Sequence, residues 1–100
     1  MKFPVLIAAL ILGVAIPVQA GPIESACLRA DRVPANRAVC GCIQQVADQT
    51  LTGKDQRLAA SFFGDPDRAQ RIRQSDSASH SEFWDRYTSF GEAAEAYCAG

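Results

Sequence analysis

Apolar residues near the end of the chain recur at steps of four, three, four and three positions. They are Phe83, Tyr87, Phe90, Ala94 and Tyr97. Because an α-helix completes a turn every 3.6 residues, this spacing places them in one apolar stripe on a helix predicted over about 80–98. Ser79 and Glu82 have the spacing of a capping box at its start, and His80 belongs to the polar loop before it.

Four shorter helices are predicted upstream, and most of their ends carry residues that start or stop a helix. They cover about 22–30, 36–51, 52–64 and 65–74. Thr52 is a candidate N-cap, with Asp55 at the third position, and Gly64 ends that helix. Asp65 and Pro66 then supply an acidic cap and a first helical residue. Pro34 favours a turn over 31–36.

The second of these helices has apolar residues close to a 3.6-residue period. They are Val39, Ile43, Val46 and Thr50, with Ala47 and Leu51 beside them. Asn36 is its candidate N-cap. No segment shows sustained alternation of apolar and polar residues, and β-branched residues are sparse after position 52. We therefore predict an all-α fold, a small bundle of four or five short helices.

The first twenty residues have the pattern of a secretory signal peptide. Lys2 precedes an apolar run over 5–16, and small residues precede the expected cleavage site after Ala20. The run is shorter than the 18 to 20 residues, roughly, that span a bilayer, which argues against a membrane anchor. We therefore divide the chain into a signal peptide, 1–20, and one helical domain, 21–100, that is periplasmic or secreted.

All four cysteines follow the expected cleavage site, which in a small exported domain indicates two disulfides. We prefer the pairs Cys27–Cys40 and Cys42–Cys98, because the first closes a hairpin around the predicted turn. The pairs Cys27–Cys42 and Cys40–Cys98 shift that hairpin by one residue and remain open. A bond between Cys40 and Cys42 would close too small a ring for helical geometry.

Cys40 and Cys42 lie two residues apart on a predicted helix, so their sulfurs point to nearly opposite sides. Such a pair can tie the helix to two different partners, and Gly41 would allow a close approach there. The alternative is a redox-active dithiol, which needs an accessible sulfur with a lowered pKa. Cys-x-Cys alone is a weak signal for a metal, and we predict no metal and no cofactor.

Charge excludes one class of partner. The chain has ten basic and eleven acidic residues, and loss of Lys2 with the signal peptide leaves nine basic residues. This balance argues against nucleic acid held by bulk charge. No apolar segment after Ala20 is long enough to span a membrane. We find no nucleophile elbow, phosphate loop or zinc motif, and we predict that the protein is not an enzyme.

Arginines are concentrated in one part of the chain, together with aromatic residues. The candidate interaction residues are Arg57, Arg68, Arg71, Arg73 and Phe63. Arginine is favoured for two-pronged contacts with anions and for stacking on aromatic rings, so this segment could recognise a protein or a small anionic ligand. The alternative is a solvated surface paired with Asp65, Asp67 and Asp76. Trp84 and Tyr87 could join the site or pack in the core.

Five segments together resemble a family of small exported bacterial proteins. They are GPIESACLRADR, CGCIQQVADQTL, DQRLAASFF, DPDRAQRIRQSD and SHSEFWDRYTSFGEAAEAYC. Members of this family often carry the label "arginine transporter". Because transport needs membrane-spanning segments, the resemblance implies at most a soluble accessory or small-molecule binding protein. Our leading hypothesis is a non-enzymatic interaction protein; a thiol-disulfide redox protein and an arginine-type binding protein are the alternatives.

Overall fold

The computed structural model describes residues 21–30 and 37–98, which form five α-helices. They are α1 (Pro22–Arg29), α2 (Arg37–Thr50), α3 (Gly53–Gly64), α4 (Pro66–Arg73) and α5 (Ala78–Cys98). This part of the chain contains no strand, which confirms the predicted all-α fold. The predicted signal peptide, the turn over 31–36 and the cap at Asn36 lie outside the described residues.

Helix α1 has an unusual cap, which comes from another helix. Its N-cap residue, Gly21, makes no side-chain hydrogen bond, because glycine has no side chain to make one. Instead Oε1 of Gln44, on α2, accepts a hydrogen bond from the backbone N–H of Glu24 at 2.9 Å. The start of α1 therefore depends on its neighbour, α2.

The capping signals of α3 and α4 act as predicted. The Thr52 hydroxyl accepts from the Asp55 backbone N–H at 3.1 Å, and the Asp55 carboxylate accepts from the Thr52 N–H at 3.3 Å. The Asp65 carboxylate accepts from the Arg68 N–H at 3.3 Å, with Pro66 as the first residue of α4. Both helices therefore begin where the sequence predicts.

The start of α5 differs from the prediction. The helix begins at Ala78, so Ser79 lies inside its first turn and the capping box of Ser79 with Glu82 is wrong. The Ser81 N–H donates to the Ser77 carbonyl at 3.0 Å, which makes Ser77 the residue at the helix boundary. His80 is helical as well, and its Nδ1 lies 2.8 Å from the Ser75 hydroxyl.

The core lies where all five helices meet. Its buried residues are Ile23, Val46, Ala47, Leu51, Ala59, Phe62, Ile72, Phe83 and Phe90. Aromatic rings fill the contact between α3 and α5, where Phe62 packs edge-on against Phe83 and Tyr87 at centroid distances of 6.0 and 5.3 Å. Helix α2 packs mainly on α5 and α1, and α1 also packs on α3. The short helix α4 packs against α3 and α5.

Two predicted apolar stripes need correction at their ends. Tyr97 is 80% exposed, so the stripe of α5 stops contributing to the core after Ala94. Val39 is 38% exposed, and the buried side of α2 begins instead at Cys40. Both deviations lie beside disulfides, where covalent links rather than apolar packing hold the helices.

Gly41 is not required for a close approach. A Cβ atom there would meet only the Glu24 carboxylate, at an ordinary contact distance of 3.8 Å. Gly91 likewise has no neighbour within 4 Å of such an atom. Neither glycine is explained by packing.

Candidate functional site

The two disulfides fasten α2 to both ends of the domain. Cys27 pairs with Cys40 and Cys42 pairs with Cys98, with Cα–Cα distances of 5.7 and 5.8 Å. The preferred pairing is confirmed, and the two other pairings are excluded. Since no free cysteine remains, Cys40 and Cys42 are not a vicinal dithiol.

The two bonds differ in how well they are shielded. Cys40 is fully buried, whereas Cys42 and Cys98 are both partly exposed. The Sγ of Cys42 lies 3.7 Å from the carbonyl oxygen of Tyr97, close to the end of α5. Cys27, the partner of Cys40, is also partly exposed, so a thiolate from solvent can approach either residue of the bond between Cys42 and Cys98 but only Cys27 of the other bond.

The four candidate arginines are all exposed, but they do not lie on one face. Arg68 and Arg71 are three residues apart on α4 and share a side. Arg73 is two residues beyond Arg71, so it lies about 200° around the helix axis. Arg57 belongs to α3.

The ion pairs of these arginines are few. Arg71 donates to the Asp65 carboxylate at 3.0 Å, with both side chains largely in solvent. Within the described residues, Arg57, Arg68 and Arg73 make no ion pair. Arg73 only approaches the side-chain oxygen of Gln70, at 3.5 Å. Three of the four guanidinium groups are therefore available to an anion.

Phe63 belongs to a different place from these arginines. It is half-buried and lines an open pocket of about 290 Å³ between the C-terminal ends of α1 and α3. The lining residues are Ala26, Arg29, Ala30, Ala60, Ser61, Phe63 and Gly64. Among the described residues, its lining contains three alanines and Phe63, one cation, Arg29, and no acidic residue. Sequence reasoning missed Arg29, because only the packing of α1 on α3 brings it beside Phe63.

A second interaction that the sequence did not suggest joins α3 to α5. Arg86 donates from Nε to Oδ2 of Asp55 at 2.7 Å and from Nη2 to Oδ1 at 3.0 Å. Asp55 is 5% exposed, and these hydrogen bonds lower the pKa of its carboxyl group below the ordinary value of 3.8, against the opposing effect of burial. The pair joins α5 to the start of α3, where Oδ2 of Asp55 also accepts from the Thr52 N–H.

A buried polar cluster joins α1, α2 and α3. Gln44 donates from Nε2 to Asp48 and to Gln56, both at 2.8 Å, while its Oε1 caps α1. Gln56 donates to Asp48 at 3.1 Å and reaches the Leu51 carbonyl at 3.5 Å. Because each carboxamide hydrogen of Gln44 has an acceptor, its orientation is fixed. This cluster organises the junction of three helices.

The remaining candidates are structural. Trp84 and Tyr87 pack with each other at a centroid distance of 5.1 Å, and Tyr87 also contacts Phe90. Burial raises the pKa of the Tyr87 hydroxyl. Across residues 21–30 and 37–98, no group of three or more histidine, cysteine, aspartate or glutamate residues is placed to hold a metal ion.

No helix within the described part of the chain is both long and apolar enough to cross a membrane. No protein-family model, curated protein or solved structure matches this chain. The function must therefore be argued from the arginines, the pocket and the disulfides themselves.

Proposed function

We propose that this chain is an exported, non-enzymatic interaction protein that binds an acidic segment of another protein through the arginines of α3 and α4. The observation that supports it most is the exposure of Arg57, Arg68 and Arg73 without an ion pair among the described residues. Unpaired guanidinium groups are compatible with solvent, but they gain most from an anionic partner that can contact more than one of them.

Local charge supports an acidic partner. Residues 57–73 contain four arginines and two aspartates, an excess of two positive charges in a chain whose net charge is −1. Guanidinium groups bind carboxylates in a planar, two-pronged geometry, so aspartate or glutamate side chains match them. Two disulfides are compatible with export, where such a partner would be another exported protein.

The first test measures binding of a fluorescent peptide of alternating aspartate and glutamate residues to the oxidised protein by anisotropy. We expect the double variant Arg57→Gln/Arg68→Gln to bind about five- to tenfold more weakly than the wild type, since two charge pairs are lost. Binding should also weaken as salt rises from about 50 to 150 mM, because exposed charges are screened.

The matched control is Arg29→Gln/Arg37→Gln, which removes two exposed positive charges outside α3 and α4. We expect it to change affinity less than twofold. Equal weakening by both double variants would show nonspecific attraction and contradict the proposal, as would a wild-type protein that does not bind the peptide. Equal melting temperatures of the variants would exclude unfolding as the cause.

The pocket beside Phe63 favours a second candidate function, the binding of a small carboxylate with an apolar group. Arg29 supplies the only charge among the described lining residues, so an anion suits this pocket better than the guanidinium of free arginine. Its volume lies near the lower end of the range for ligand pockets, roughly 300–1,000 Å³. Calorimetry with benzoate, short-chain fatty acids and arginine tests this candidate. Loss of carboxylate binding in Phe63→Ala would support it, and no heat from any carboxylate would exclude it.

A further inference from the structure

The expected cleavage site falls directly before Gly21, the N-cap residue of α1. The sequence pattern places cleavage between Ala20 and Gly21. In the structure Gly21 is the N-cap of α1, and its carbonyl accepts the first hydrogen bond of that helix, from the Ser25 N–H at 3.0 Å. Cleavage there would leave no residue between the new amino terminus and the folded domain.

Gly21 also has a steric constraint that the four other glycines of the described residues lack. A Cβ atom at this position would overlap Cδ and Oε1 of Gln44 and lie 2.6 Å from its Nε2. At Gly53, which also begins a helix, the nearest such contact is the Arg57 side chain at 3.6 Å. Steric contact with neighbouring atoms therefore excludes a side chain at Gly21 but not at Gly53.

The carboxamide of Gln44 cannot simply move aside. A flexible side chain could normally yield, but this one is buried and holds three hydrogen bonds, to Glu24, Asp48 and Gln56. Displacing it would break the hydrogen bond between the two buried carboxamides, Gln44 and Gln56, and would remove the cap of α1, which adds to the cost of the displacement. The constraint at Gly21 is therefore enforced by the whole polar cluster.

From this coincidence we propose that Gly21 is the maturation site of the protein and that the mature amino terminus is seated on Gln44. Glycine is required there by the fold, not by the processing enzyme. The proposal rests on the export proposed above and is independent of the arginines, so failure of peptide binding would leave it intact. It assigns Gln44 a second task, that of holding the terminus that cleavage creates.

The experiment exports the full-length chain, purifies it from the periplasm and measures its intact mass and melting temperature. We expect a mature chain that begins at Gly21. Gly21→Ala should be cleaved at the same bond but melt about 5 °C lower, the shift that a modest loss of stability produces in a domain of this size. Gly53→Ala, the matched control, should shift the melting temperature by no more than about 2 °C.

A double-mutant cycle with Gln44→Ala isolates the steric contact. Alanine is also a poorer N-cap than glycine, but that difference acts in both backgrounds and cancels. We expect Gly21→Ala to lower the melting temperature in the wild type and to have little effect beside Gln44→Ala. If the single variant is not recovered, recovery of the double variant supports the same conclusion.

Three results would overturn the proposal. The first is a mature chain that begins at any residue other than Gly21. The second is an unchanged melting temperature in Gly21→Ala. The third is an equal loss in both backgrounds, which would assign the effect to capping alone.

Discussion

Asp55 has two structural tasks, and both depend on its negative charge. Its carboxylate closes the capping box with Thr52 and receives both guanidinium hydrogen bonds of Arg86. A carboxylate with this many donors is favoured over its protonated form, which is why its pKa is lowered. The residue therefore links the start of α3 to the middle of α5.

This arrangement predicts a loss of stability in acid. Because the pKa of Asp55 is lower in the folded state, its contribution is fully present above the unfolded value of about 3.8 and is lost as pH falls through the folded pKa. We expect the melting temperatures of wild type and Asp55→Asn to differ at pH 6 and to converge toward about pH 2. Thermal unfolding, followed by circular dichroism between these pH values, measures this difference in melting temperature. A difference that stays constant with pH would contradict the prediction.

Sequence reasoning could identify Asp55 as a cap but not as an ion-pair partner. Capping depends on residues three positions apart, which the sequence shows directly. The partner, Arg86, lies 31 residues away and is selected by the packing of α5 on α3. The same limit applies to Arg29 beside Phe63 and to Gln44 at the start of α1.

Helices were the most predictable elements, and their errors have physical causes. Thr52, Asp65 and Pro66 placed the starts of α3 and α4 correctly, because each cap satisfies backbone groups within one turn. The predicted start of α5 was wrong because the segment 75–81 contains several serines, and serine is a favourable cap at each of these positions. The residue at the helix boundary is Ser77 instead of Ser79, and the hydroxyl groups of these two serines lie 2.9 Å apart.

The stripe of α5 gives a prediction at the scale of one helix. Phe90 is 7% exposed and Tyr97 is 80% exposed, although both occupy the same apolar spacing. We expect Phe90→Ala to lower the free energy of unfolding by about 3–5 kcal/mol, since it empties a packed aromatic site. Tyr97→Ala, the matched control, should change it by less than about 0.5 kcal/mol.

Chemical denaturation of both variants with intact disulfides measures these energies. Comparable losses in the two variants would show that Tyr97 packs on the domain as the sequence pattern suggested. That outcome would contradict the position of the end of α5.

At the scale of the molecule, disulfide bonds join α2 to both α1 and α5. One disulfide joins it to α1 and the other to the last residue of α5. The preferred pairing followed from the predicted turn, but the sequence could not exclude the pairing shifted by one residue. The structure decides between them because it contains the bonds Cys27–Cys40 and Cys42–Cys98.

Unequal shielding predicts an order of reduction. Under a graded series of reductant, with the fold intact, we expect Cys42–Cys98 to open before Cys27–Cys40, because a thiolate must reach a sulfur to attack it. Alkylation of the released thiols followed by peptide mass spectrometry identifies the bond. Opening of Cys27–Cys40 at the same or a lower reductant concentration than Cys42–Cys98 would contradict this order.

The redox hypothesis can be judged by the same series. Resistance of both bonds to glutathione at cellular concentrations would favour a purely structural role. Rapid, reversible opening of Cys42–Cys98 alone would move redox chemistry ahead of the interaction protein as the leading proposal.

The disulfides do not interleave along the chain, and this has a topological consequence. One closes residues 27–40 into a covalent ring, and the other closes residues 42–98 into a second ring. Gly41 alone connects them. A single backbone cut inside either ring leaves one covalent molecule, whereas a cut at either peptide bond of Gly41 separates the halves. Gly41 lies within α2, so its peptide bonds belong to a helix and a protease should cut the folded protein inside a ring instead. One such cut should add the mass of one water, and fragments should separate only after the disulfides are reduced.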